Sequence, residues 1–267
     1  VVLFVITVRM IKRMVGVRKL NKGCPEEYPI SLIVNGYEIA IFQLTKLDLE
    51  DWVYGYLYSE GIITHLSDIK SIHVEEEQGI IRVELSTPIQ IEAFFQKKKH
   101  YTAGCGRGVT FFSMTDVKSF QPIDANVHYQ LSYLMQKRVE FSKLTPLYLQ
   151  TGGMHAACIV ERNGQITVRE DIGRHNAVDK IIGHCLRNGL NSEELVIMTT
   201  GRISYEMLSK VAKFGFPVAL SRTAATKQAV QLAKFLQIEL IGYVRGKMSI
   251  PYTSFGRVTN DVISNKK

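Results

Sequence analysis

The chain has 267 residues, 46% of them hydrophobic, with 33 Lys or Arg against 25 Asp or Glu and a formal net charge of +8. That length supports one large domain or two modest ones with a sizeable core, and the positive balance points to an anionic partner. The charge is scattered, with no basic stripe interleaved with aromatics, which argues against a nucleic-acid reader; four cysteines without a C-x-x-C pair argue against a disulfide framework and fit a reducing cytoplasm.

The opening VVLFVIT is apolar but short, and Arg9, Lys12 and Arg13 follow it rather than precede it. It is expected to be neither a signal peptide nor a membrane span, and residues 1–24 are read as an N-terminal extension. SLIVNGYEIAIF predicts a hairpin turning at Asn35-Gly36. Leu49, Trp52, Val53, Tyr56 and Leu57 then recur at helical spacing, with Asp48 as the expected cap and an end near Gly61. Two strands are expected to flank Glu77–Gly79, and IQIEAFF to extend the set. The pattern changes at Gln121–Asn126, where a domain boundary is expected, and a helix is predicted from about Asn126 to Lys143.

CIVERNGQITVRED predicts a second hairpin, with its turn at Asn163-Gly164. Helical NAVDKIIGHCLRNG, SYEMLSKVAKFG and AATKQAVQLAKFL then alternate with strand-like LVIMTT, PVALSR and IELIGYVRG. Such alternation predicts a parallel sheet with crossover helices. The expected fold is therefore α/β in its second part and α+β overall. Residues 25–122 would form a smaller α+β domain and residues 123–267 a three-layer α/β domain.

HYTAGCGRGVTF, residues 100–111, places Cys105 between glycines after three lysines and a histidine. Glycines let other atoms approach the sulfur, and nearby cations favour the thiolate, the nucleophilic form. An incidental surface cysteine is the other local reading. In open α/β sheets ligands bind beyond the carboxyl ends of the strands, and helix amino termini there suit phosphate. Arg202, Arg222, Arg245 and Lys247 all fall just past predicted strand ends. Each turn alone could be an ordinary strand-to-helix connection; together they point to a phosphate or nucleotide site. The segment from Asp171 to Lys180 holds two aspartates, an arginine, a histidine, an asparagine and a lysine. Asn176 could cap a helix and Asp179-Lys180 could be a solvated face, but the density favours a site that includes His175 and Asn176. His155-Ala156-Ala157-Cys158 lacks the glutamate of the H-x-E motif, and without a later C-x-x-C a zinc deaminase is excluded. Cys158 and Cys185 lie in apolar patterns and are expected in the core.

YPISLIVNG, LYSEGII, AGCGRG, TGGMH, EDIGRHNAVDK, TTGRISYEM and YVRG…YTSFGRV occur in this order. Over about residues 25–258 the chain resembles the formate dehydrogenase accessory sulfurtransferases, the FdhD/NarQ family. The resemblance implies a persulfide carried on Cys105, received from a cysteine desulfurase. It implies transfer of that sulfur to the molybdenum bis-guanine dinucleotide cofactor, bound as substrate and required by formate dehydrogenase. It implies a C-terminal domain like the cytidine deaminase fold without zinc and a homodimer; the cysteine usage and the short apolar start add the expectations of a cytoplasmic location and no membrane insertion. Tyr243, Val244, Arg245, Gly246, Lys247 and Met248 match the family's guanine-dinucleotide segment. The family's loop often reads C-G-x-C-G; here the second cysteine position holds Gly108. That leaves a single-persulfide relay and, as the alternative, a chaperone that delivers the cofactor without moving sulfur.

Overall fold

The computed structural model describes residues 22–87, 100–101, 109–110, 120–246 and 248–260. Strands β1 (Tyr28–Val34) and β2 (Tyr37–Leu44) form the first hairpin. Asn35 and Gly36 both take positive φ, 48° and 82°, as the tight turn of a right-twisted hairpin requires. Strands β3 (Ile69–Glu75) and β4 (Ile80–Leu85) complete a four-stranded sheet of order β2-β1-β4-β3, with β1 and β4 parallel. Its alternate residues Ile30, Leu32, Val34, Ile81 and Val83 are buried with Trp52, Tyr56 and Leu57 of helix α1, Leu49–Ser59. Asp48 does not cap α1 through its side chain. It sits at φ 53°, in the left-handed region and not in the extended one that a capping residue adopts, and its carboxylate lies 3.4 Å from Arg169.

Two short strands, β5 (His100–Tyr101) and β6 (Val109–Thr110), pair antiparallel. Cys105 and IQIEAFF lie outside the described residues. By Ile123 the chain packs on a second core, its amide donating to the Leu236 carbonyl at 2.9 Å. The helix expected from about Asn126 starts later, as α2 (Leu131–Lys143). Residues Tyr129–Gln130 instead form strand β7, parallel to β14 (Val258–Thr259), and this pairing holds them extended. A short helix, α3 (Pro146–Thr151), follows with Pro at its first turn, where the missing N–H costs nothing.

The second hairpin is β8 (His155–Val160) with β9 (Ile166–Asp171). The alternating elements follow as α4 (Arg174–Arg187), β10 (Val196–Thr199), α5 (Tyr205–Phe214), β11 (Val218–Ser221), α6 (Lys227–Phe235), β12 (Glu239–Arg245) and β13 (Met248–Pro251). They build a six-stranded sheet of order β13-β12-β11-β10-β8-β9. Strands β10, β11 and β12 run parallel as expected, while β8 and β13 are antiparallel to their neighbours, so the sheet is mixed. Helices α4, α5 and α6 cover one face and α2 the other. The fold is thus mixed α/β with helices on both sides of the larger sheet. Cys158 and Cys185 are buried in its two cores, as expected.

Helix α1 of the first sheet crosses α4 of the second at glycines. A Cβ on Gly55 would lie 1.8 Å from the Asp179 carbonyl oxygen, and one on Gly183 would lie 1.7 Å from the Asp51 carbonyl oxygen. Ion pairs surround the crossing. Asp51 receives Arg169 at 2.8 Å and Arg187 at 2.6 Å. Lys180 and Asp171, both 0% exposed, meet at 2.7 Å. The Lys180 ammonium also donates to the carbonyls of Thr45 and Glu170, and the Asp171 carboxylate accepts from the Thr45 amide. Lys210 pairs with Asp179 at 2.6 Å and lies 3.7 Å from Glu60. Asp179-Lys180 is therefore not a solvated face: both side chains are enclosed, Asp179 by Lys210 of α5 and Lys180 by β9 and the Thr45 carbonyl at the end of the first hairpin.

Candidate functional site

The carboxyl ends of β10, β11 and β12 open onto a cleft of about 390 Å³, open solvent included. Thr199, Thr200, Ser221, Arg222 and Val244 line one wall, and Arg138, Thr145 and Tyr148 from α2 and α3 line the other. Local chemistry sets this wall. The Glu170 carboxylate accepts the Leu147 and Tyr148 amides at 2.9 and 2.8 Å, placing negative charge at the start of α3 and fixing Tyr148. The Tyr148 hydroxyl lies 3.4 Å from an Arg222 nitrogen, and the Arg222 guanidinium carbon is 5.9 Å from the ring centre. Ser221 donates to the Gly201 carbonyl at 2.7 Å and accepts the Thr223 amide, which pins the turn carrying Arg222.

The YVRG segment reaches the same place through its backbone. The Tyr243 amide donates to the Thr223 carbonyl at 3.0 Å. Tyr243 holds φ at 52°, a left-handed conformation costly for a bulky residue, beside a register shift between β12 and β13. Val244 is buried in the cleft wall, while Arg245 points outward with its guanidinium carbon 5.4 Å from the Tyr243 ring centre. Gly246 takes φ 59°, and Met248 is exposed on β13. Lys247 lies outside the described residues. Arg202 is exposed next to Gly201. The structure thus brings Arg222, Val244 and the Tyr243 backbone together; Arg202 and Arg245 stand on the surface nearby and do not line the cleft.

His175 and Asn176 occupy a different place, at the start of α4. Gly173, not Asn176, is the cap position of that helix. The Asn176 amide donates to the Gln43 carbonyl and to Asp171, linking α4 to β2. His175 Nε2 is buried without a hydrogen bond, 3.4 Å from Glu206. Burial, reinforced by the charges of Lys210, Arg174 and His155, pushes the His175 imidazole well below its usual range, so it is neutral. His155 is also pushed down, by burial first and then by Arg174. Burial raises the carboxyl of Glu206 to about 7 and that of Asp179 to about 6, against the attraction of Lys210. Burial works against the Lys210 charge too, but Asp179, Glu60 and Glu206 more than offset it. Among the described residues no three His, Cys, Asp or Glu side chains gather as a metal site.

Burial pushes the thiols of Cys158 and Cys185 up, so neither is a thiolate at neutral pH. Cys24 is exposed and Cys105 lies outside the described residues. The sequence reading missed Arg138 and Tyr148. A signal for Arg138 was present: it stands four residues after Leu134 and three before Phe141, both buried, so an arginine occupies the apolar stripe of α2.

Fold and cleft together define an α/β protein with a guanidinium-lined recess at its strand ends. The chain belongs to the FdhD/NarQ family, whose profile matches residues 25–259. A protein of Shouchella clausii (strain KSM-K16) named sulfur carrier protein FdhD is 35% identical over 240 residues, which cover 88% of this chain and 89% of that protein. One of the same name from Bacillus subtilis (strain 168) is 32% identical over 242 residues, 91% and 92% of the two chains. A crystal structure assigned to a formate dehydrogenase accessory protein from Desulfotalea psychrophila superposes with a TM-score of 0.71 at 26% identity, covering 88% of this chain and 90% of that one.

Proposed function

We propose that this chain is a sulfur carrier that takes up sulfur as a persulfide on Cys105 and passes it to the molybdenum bis-guanine dinucleotide cofactor destined for formate dehydrogenase. The observation that carries the reading is the match to proteins named sulfur carrier protein FdhD along nearly their whole length. The donor is a cysteine desulfurase. The Cys105 thiolate attacks the outer sulfur of the donor's persulfide; a new S–S bond forms on Cys105, the donor's S–S bond breaks, and the donor cysteine leaves as thiolate. Lys97, Lys98, Lys99, His100 and Arg107, near Cys105 in sequence, favour its anionic form. Cys158 and Cys185 are buried as thiols, so neither competes with Cys105 for the donor's sulfur.

Cofactor phosphates would be held by Arg202, Arg222, Arg245 and Lys247, and its guanine end by the segment from Tyr243 to Met248. What supports this is the recess between Arg222 and Val244 and the strained backbone at Tyr243. His175 and Asn176 are assigned to cofactor binding in the same reading, although they stand at the start of α4 and do not line the cleft. The division at 122/123 and the deaminase-like description of the second domain are parts of the proposal. Ile123 packs on the core around α4–α6, and so does Phe120 just before the proposed boundary. The chain acts in the cytoplasm as a homodimer.

The test is intact mass after incubation with a cysteine desulfurase and cysteine, with Cys105→Ala alongside. A gain of one sulfur that reductant removes, absent from the variant, is the expected result. No gain, or an equal gain on the variant, overturns the relay. The replacement of the second loop cysteine by Gly108 favours the second reading in that case, a chaperone that delivers the cofactor without moving sulfur.

A further inference from the structure

Arg138 and Arg222 approach one another across the strand-end cleft from different elements, α2 and the end of β11. Both are half-buried. Among the described residues neither has an ion-pair partner; the Arg222 side chain meets the Tyr148 side chain, by hydrogen bond and ring face. Burial, followed by the charge of Arg222, pushes the Arg138 guanidinium below its usual range, and no carboxylate counters either effect. Several enclosed cations elsewhere are neutralised by carboxylates, while the Arg257 guanidinium is held by the Ala125 and Ile123 carbonyls. Lys180 has Asp171, Lys210 has Asp179, and Arg169 has Asp51. Two unneutralised guanidiniums facing one recess are unfavourable in the empty protein, and a dianion between them removes that cost.

The recess also has an apolar floor, made by Phe141, Met198, Leu220 and Val244. A guanidinium fork binds tetrahedral oxyanions through paired N–H groups, and two forks match a group carrying two charges. We infer that Arg138 and Arg222 form a two-sided clamp for a phosphate or diphosphate group, whose organic body extends over the apolar floor toward Val244. Arg138 is thereby a ligand-binding residue that neither the motif order nor the strand-end pattern identifies. The inference deepens the proposed function and rests on its reading of the cofactor as a guanine dinucleotide, since Val244 belongs to the segment assigned to that ligand.

Titration calorimetry with inorganic diphosphate and with GDP on the full chain, together with thermal melting, tests it. The variants are Arg138→Gln, Arg138→Lys and Arg222→Gln. Wild type is expected to bind both probes, Arg138→Gln and Arg222→Gln to lose about tenfold or more in affinity for each, and Arg138→Lys to retain part. Ligand-free Arg138→Gln is expected to melt no lower than wild type, because removing it relieves repulsion. A clear fall in that melting point makes Arg138 a structural residue and overturns the clamp. GDP binding at wild-type strength to both glutamine variants overturns the clamp while leaving the nucleotide reading intact. Diphosphate binding that depends on the arginines, with no competition from GDP, upholds the clamp and overturns the nucleotide reading. Failure of wild type to bind either probe overturns both.

Discussion

Gly55 and Gly183 face each other where α1 and α4 cross, and neither leaves room for a single added carbon. At Gly55 the obstacle is the Asp179 carbonyl and at Gly183 the Asp51 carbonyl, both backbone atoms that cannot rotate away. Gly55→Ala is therefore expected to push the helices apart and to destabilise the protein by about 3 kcal/mol or more. Gly23→Ala, with open space around it, is expected to change nothing measurable. Chemical denaturation of both variants checks the contrast. Equal midpoints for Gly55→Ala and wild type would mean that the crossing is looser than described.

Glu206 gives stability a pH dependence whose sign is unusual for a carboxylate. Burial raises its folded-state value from 4.5 to about 7. A raised carboxyl binds more protons folded than unfolded, so its contribution is fully present below about pH 4.5 and is lost as pH rises through about 7. Asp179, raised to about 6, acts in the same direction. Glu206→Gln removes the ionisation while keeping the shape. The variant is expected to match wild type near pH 5 and to exceed it at pH 8, by at most about 3 kcal/mol. Melting curves across this range decide; a constant offset between the two proteins would contradict the shift.

Tyr243 holds a left-handed backbone that glycine adopts freely. Both Tyr243→Gly and Tyr243→Ala lose the ring and its stacking with Arg245. Their difference isolates the backbone, and the glycine variant is expected to be the more stable by about 1 kcal/mol. Unfolding midpoints measured in parallel test this. An alanine variant as stable as the glycine one would place the strain elsewhere.

Local pattern carried much of this architecture. Asn35-Gly36 announced its hairpin because a two-residue turn needs such residues, and Gly164 marks the second, where a longer loop turns through Arg162-Asn163 and needs positive φ only at the glycine. The alternation after residue 171 announced the strands and helices because its apolar periods switch cleanly between two and about 3.6 residues. The strand-end position of Arg222 and Val244 followed from that alternation. What the sequence could not display is partnership at a distance. The density of EDIGRHNAVDK was plain, but Asp171, Asn176 and Lys180 find partners in Thr45 and Gln43, more than a hundred positions earlier. Asp179 meets Lys210 from another helix. Much of that polar capacity joins the two sheets. Arg138 was hidden for the complementary reason: its significance comes from Arg222, which approaches from a strand that follows it by some eighty residues.

The lysine shared between Asp171 and the Thr45 carbonyl also governs how the chain can be divided. Its charge is neutralised by one sheet and its remaining hydrogen-bonding capacity is completed by the segment leaving the other. A fragment that starts after the first sheet would keep the ion pair but lose Thr45, and would expose the glycine face of α4 to water. The two halves are thus poor candidates for separate expression or for exchange between distant relatives, and unfolding should take them apart together in one cooperative step.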